Sequence, residues 1–265
     1  MHDHLPPPLA RAAGICLKTT SLPLVGALLL FLALNPSAMG AQTVADLPVP
    51  QGYQRLTFPE ESYSRYLQQL PLKPDKTIAR YDGKPVPTGL YRVLAVVDRP
   101  LLFRSDLEQC ADLCMRFWAD FHRDRGRTDT LFLYDYNGRK KYFRDSGRSF
   151  QDFLKWHMAY SNSFSLKQGA NAMDARLLRP GDMFVQNTDG GIGHVSLVVD
   201  AAANSQGQRV YLIGFGFIPA QEFHIEQAGS SHGVQGWFTL EGYQRYLAGF
   251  PFGRYGRPVM RRFEP

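Results

Sequence analysis

The chain has 265 residues, of which 44% are hydrophobic and 20% charged, with a formal net charge of +6. That balance excludes a disordered or low-complexity chain and fits a globular protein with a sizeable core. Its Lys and Arg residues are scattered and form no run, so nucleic-acid binding has no electrostatic footprint.

Residues 1–40 read as a secretory signal peptide. Arg11 and Lys18 give a positive start, LPLVGALLLFLAL (22–34) is an uncharged apolar run, and Ala38-Met39-Gly40 supplies small residues at a cleavage site. An uncleaved anchor is the alternative, but the run is short for a membrane span. Cys16 precedes the apolar run, which is not where a lipid-modified cysteine stands. Removing this segment takes away Asp3, Arg11 and Lys18, so the net charge falls to +5. The expectation is an exported protein, periplasmic or secreted, with one domain over 41–265 and no stable membrane span after cleavage.

Residues 41–55 read as a leader with little periodicity. YSRYLQQLPLKP (63–74) predicts a short helix stopped by proline, and LYRVLAVVD (90–98) a buried strand. The clearest helix is expected from about Asp106 to Arg123, with Ser105 and Glu108 as a capping box at its start. DTLFLYDYNGRKKYFRD (129–145) predicts a hairpin turning at Asn137-Gly138, and SFQDFLKWHMAYSNSF a second amphipathic helix. Strands follow in DMFVQ, HVSLVVDA, RVYLIGFGF and QEFHIEQ, then a helix in LEGYQRYL. Helices first and strands later argue for an α+β domain with a mainly antiparallel sheet.

Cys110 and Cys114 are the cysteines left after cleavage. Exported proteins usually pair their cysteines, yet a four-residue spacing on a helix rarely permits a disulfide. Leu107, Cys110, Cys114, Phe117 and Phe121 share one helical face, so both cysteines can be read as core. The functional reading favours Cys110, which lies nearer the helix start, where the helix field lowers a thiol pKa. A thiol nucleophile also needs a base. Among His122, His157, His194, His224 and His232, the strongest candidate is His194: Gly193 permits close backbone approach before it, and an apolar strand behind it would hold the ring rigidly. His122 and His157 read as surface or interface residues. Metal ligation has no compact ligand cluster at usable spacing, and GFGF opens no helix, so neither a metal nor a nucleotide cofactor is expected.

A cysteine early in a helix, then LRPGDMFV, then GHVSLVVD, resembles the NlpC-type cell-wall cysteine peptidases. That resemblance implies a papain-like fold with Cys110 as nucleophile and His194 as base. RLTFPEESYSRYLQQLPLKP, LEQCADLCMRFWADF, GHVSLVVDAA and GFIPAQEFHI together resemble the bacterial family known as domain of unknown function 4846, from about Tyr53 to the C-terminus. QCAD and PAQ are the most specific pieces. The sequence departs from the NlpC-type pattern in two places. Gln109 stands where those peptidases have an aspartate, and VYLIGFGF lacks their polar third residue, leaving Gln221 as the candidate to orient the imidazole. Gln109 and Gly193 are the expected substrate contacts.

The reaction expected from these residues is amide hydrolysis, with Cys110 attacking the carbonyl and His194 shuttling the proton. The substrate class implied is a cell-envelope peptide, with peptidoglycan stem peptides foremost. The alternative is a non-catalytic envelope binding module on the same scaffold. It predicts a buried, unreactive Cys110 far from His194.

Overall fold

The computed structural model describes residues 41–264, so the expected signal peptide lies outside the described residues. In chain order the first elements are β1 (Tyr53–Arg55), α1 (Tyr63–Gln68), β2 (Val93–Val96), α2 (Cys110–Asp124), β3 (Phe132–Tyr134) and β4 (Lys140–Tyr142). There follow α3 (Phe150–Tyr160), α4 (Ser163–Gly169), β5 (Asn171–Ala172), β6 (Asp182–Gln186), β7 (His194–Asn204) and β8 (Arg209–Phe215). The chain closes with β9 (His224–Glu226), β10 (Gly233–Val234), β11 (Trp237–Phe238), α5 (Leu240–Ala248) and β12 (Val259–Arg262).

Ten strands form one antiparallel sheet whose spine runs β10-β11-β8-β7-β6-β12-β5. β9 pairs β8 and passes the sheet on to β2, while β1 pairs the far end of β7. This is the α+β architecture with a mainly antiparallel sheet that the order of elements predicts. β3 and β4 form a separate hairpin that turns at Asn137-Gly138, with Asp135 accepting from the Asn137 and Arg139 amides and Gly138 at φ +77°. Only glycine takes that conformation without strain.

The sheet is buried on both faces, and strand alternation sorts its side chains between two cores. Val195, Leu197 and Val199 of β7 enter the core with Leu113, Cys114, Met115 and Phe117 of α2. Val198 and Ala201 of β7, Phe184 of β6 and Ile213 and Phe215 of β8 pack instead with Tyr243 and Leu247 of α5 and with Phe252. Trp118 on α2 extends the first core to the hairpin by donating to the Phe132 carbonyl at 3.1 Å. Asp200, buried in β7, is held by Arg55 at 2.7 Å and by Gln68 at 2.7 Å, which fastens β1 and α1 to the sheet.

Three expected boundaries are corrected. α2 opens at Cys110 rather than near Asp106. The Glu108 carboxylate, read as a capping-box member, instead accepts from the Leu102 and Phe103 amides and pairs with Arg116 at 2.8 Å, holding the preceding loop outside the helix. Gln109 is the N-cap, and Asp112 at N3 accepts its amide at 3.0 Å. The second amphipathic stretch divides into α3 and α4 because Asn162 caps a new helix, its Oδ1 accepting from Phe164 at 2.8 Å. The expected leader joins the fold, with Val44 and Leu47 buried in the first core and β1 on the sheet.

Candidate functional site

Cys110 is the first residue of α2, a full turn closer to the helix end than the sequence placed it. It lines a cleft of about 420 Å³ bounded by the α2 start, the α3–α4 junction and the glycine loop 191–193. Gln109, Asp112, Asn162, Ser163 and Gly193 share this cleft with it, and Ile192 and Ile218 stand exposed at its edge. Gly193 is there for the close approach its sequence suggests: a Cβ would collide with the Gln186 carbonyl and the Ser163 hydroxyl.

The thiol is 5% exposed and lies 3.9 Å from the Gly193 carbonyl oxygen. The Val195 amide donates toward its sulfur, and Asp112 sits close enough to disfavour a second negative charge. Burial dominates and pushes the thiol up to about 12. The helix N-terminus favours a thiolate, but that effect is outweighed here. Cys114, a turn deeper, is buried, and that burial raises its thiol well above the ordinary range.

His194 occupies the opposite face of the sheet. One residue before Val195, it points away from α2 and into a box of Phe215, Phe217 and Phe252, with ring centroids at 5.1, 5.6 and 4.3 Å. Its side chain is fully buried, and neither ring nitrogen has a hydrogen-bond partner. The structure therefore does not bring Cys110 and His194 together, because a one-residue step along a strand reverses the face. Burial, with His224 nearby, pulls the imidazole down to about 3. Burial raises the thiol and lowers the imidazole, so both shifts oppose transfer of a proton from one to the other. As folded, the two groups stay neutral and apart.

Gln221 does not orient His194 either. Its amide donates to the Tyr91 hydroxyl at 3.2 Å, and Tyr91 packs on His224 at 4.5 Å. His224 lies with its Nε2 3.3 Å from Glu226 Oε2, both side chains buried. His122 and His157, expected at the surface or an interface, are buried within the fold: each turns Nδ1 toward a backbone carbonyl, Arg127 at 3.1 Å and Tyr134 at 3.2 Å. Among the described residues no group of three or more His, Cys, Asp or Glu side chains could hold a metal ion. Among them, too, no helix is long and apolar enough to cross a membrane.

Asp112 is the functional candidate that sequence reasoning passed over. It is 6% exposed, one oxygen caps Gln109, and the other has no partner beside the cleft. Burial raises its carboxyl well above the ordinary range. The signal was available in QCAD, where an acidic residue stands at N3 of a helix.

These features define an α+β protein with a polar cleft at a helix start and a sealed histidine compartment behind the sheet. The chain belongs to the family described as domain of unknown function 4846, whose model matches residues 44–146 and 134–254. No curated protein and no solved structure matches the chain.

Proposed function

We propose that the protein is an exported, non-catalytic cell-envelope module that holds a peptide in the Cys110 cleft. The observation carrying this reading is that His194 is boxed by Phe215, Phe217 and Phe252 with neither ring nitrogen bonded, while Cys110 lines a cleft that His194 does not line. A thiol near 12 without a base is a poor nucleophile. What remains in the cleft suits binding. The free oxygen of Asp112 accepts an N–H, and Ile192 and Ile218 present apolar surface to a side chain. A peptide of the envelope offers both kinds of group in alternation. On this reading the papain-like, NlpC-type scaffold is retained and its chemistry lost.

A second reading, a thiol hydrolase cleaving an amide bond in an envelope peptide, draws on Cys110 opening α2 at the cleft wall. It requires an imidazole at the sulfur. Alkylation of the wild type, Cys110→Ser and His194→Ala separates the two. The binding reading expects labelling at neutral pH about a thousandfold slower than a free thiol, because the thiolate fraction falls tenfold per pH unit. It also expects His194→Ala to leave the rate unchanged. Fast labelling at mildly acidic pH, lost in Cys110→Ser and slowed in His194→Ala, would establish the hydrolase and end the binding reading.

A further inference from the structure

A second cavity, of about 380 Å³, opens between β4, the turn after it and α3. Its wall carries three cations, Lys140, Lys141 and Arg148, against a single carboxylate, Asp145. Asp145 is 69% exposed and leans toward Arg144 at 3.7 Å. Lys141 has Asp135 at 3.5 Å, and Lys140 donates to the Glu264 carbonyl oxygen at 3.0 Å while lying over Phe132. Arg148 has no carboxylate within ion-pair reach among the described residues, and its guanidinium is held 5.5 Å from the centre of the Trp156 ring. The cavity is therefore positive, and its most available cation is braced by an aromatic ring.

The remaining lining is suited to hydroxyl groups and a ring. His157 forms part of the floor. Its Nδ1 faces the Tyr134 carbonyl, which can only accept, so Nδ1 carries the hydrogen and Nε2 is left as an acceptor. Burial pulls this imidazole down to about 4, so it stays neutral at physiological pH. Ser146 donates to the Phe143 carbonyl at 2.7 Å and accepts from the Arg148 amide at 3.2 Å, which leaves one lone pair for a donor from outside. Tyr142, Phe153 and Trp156 supply apolar wall. The space is several times that of an inorganic ion, which leaves room for a sugar ring.

We propose that this cavity binds an anionic saccharide, its acidic group on Arg148 and Lys141, its ring against Trp156, and a hydroxyl donating to His157 Nε2. The proposal is independent of the Cys110 cleft. Carboxylated and phosphorylated sugars share the required chemistry, and either fits an exported protein with a positive excess.

The test is calorimetric titration of the protein with glucuronate, glucose 6-phosphate, glucose and inorganic phosphate. At least one of the two anionic sugars is expected to saturate a single site, and which one does so identifies the acid. Glucose and phosphate are expected to bind about tenfold more weakly, each lacking one half of the recognition. Arg148→Glu, at an exposed position, is expected to remove binding while leaving the circular dichroism spectrum intact, and Trp156→Ala to weaken it about tenfold. Cys110→Ser is expected to change nothing. Equal affinity for glucose and glucuronate, phosphate binding as tightly as the sugars, no saturation by either anionic sugar, or an unaffected Arg148→Glu variant would each overturn the proposal.

Discussion

Cys110 and His194 are both buried within one short stretch of space, yet their surroundings differ in kind. Cys110 stands at the wall of a polar cleft, touched by the backbone of Gly193 and Val195. His194, the residue between those two, is turned to the other side of the sheet and enclosed by three phenylalanine rings. The first compartment can exchange hydrogen bonds with a ligand; the second offers its imidazole none. The difference shows that backbone proximity across a strand says little about side-chain proximity, since adjacent residues face opposite layers. Each compartment drives its titratable group toward the neutral form, the thiol upward and the imidazole downward.

The most severe way to break this contrast is to open the histidine compartment. Phe252 is fully buried and packs on His194. Phe252→Ala is expected to cost about 3–5 kcal/mol by the usual scale for deleting a buried aromatic ring. Urea denaturation measures the loss. If the protein retains wild-type stability, the aromatic box is not a core.

A milder effect comes from pH. The unfolded chain protonates an imidazole near 6.5, whereas folded His194 resists until about 3. The folded value is depressed, so this contribution is complete above 6.5 and is lost as the pH falls toward 3. At pH 5 the loss amounts to about 2 kcal/mol. Buried carboxyls such as Asp112, Asp182 and Asp200, whose values are raised, act in the opposite direction. The comparison is therefore between wild type and His194→Leu, in which the carboxyl contribution cancels. Between pH 7 and pH 5 the variant is expected to lose about 2 kcal/mol less than the wild type. Parallel pH profiles for the two proteins would mean that the imidazole is hydrated rather than sealed.

The smallest change sharpens the cleft side of the comparison. Ile192 is 71% exposed at the cleft edge. Ile192→Ser is expected to alter stability by less than about 0.5 kcal/mol, as exposed substitutions do. The same variant is expected to weaken the binding of a peptidoglycan stem peptide, read by titration. Unchanged peptide affinity in a folded variant would remove the cleft edge from the binding surface.

Much of this molecule was legible in one dimension. The Asn137-Gly138 turn, the β6 segment DMFVQ and the start of β7 at His194 follow from local turn chemistry and apolar runs. QCAD marks the helix that lines the cleft, although the competition for Glu108 by the loop amides hid where that helix begins. The burial of His122 and His157 was missed because their neighbours along the chain are polar or aromatic, while their partners, Arg127 and Tyr134, are carbonyls supplied by folding.

The sequence by itself determined that the chain would build an α+β domain, because periodicity and turn residues act over a few positions. It also determined that Cys110 would lie within the first two turns of a helix and His194 at a strand start. Only the tertiary structure decided whether those two ends meet. The sheet is covered on both faces, α2 on one and α5 on the other, and a fully buried strand carries no alternation of polar and apolar residues from which its facing could be read. Packing made that choice, and it placed the thiol and the imidazole in separate layers.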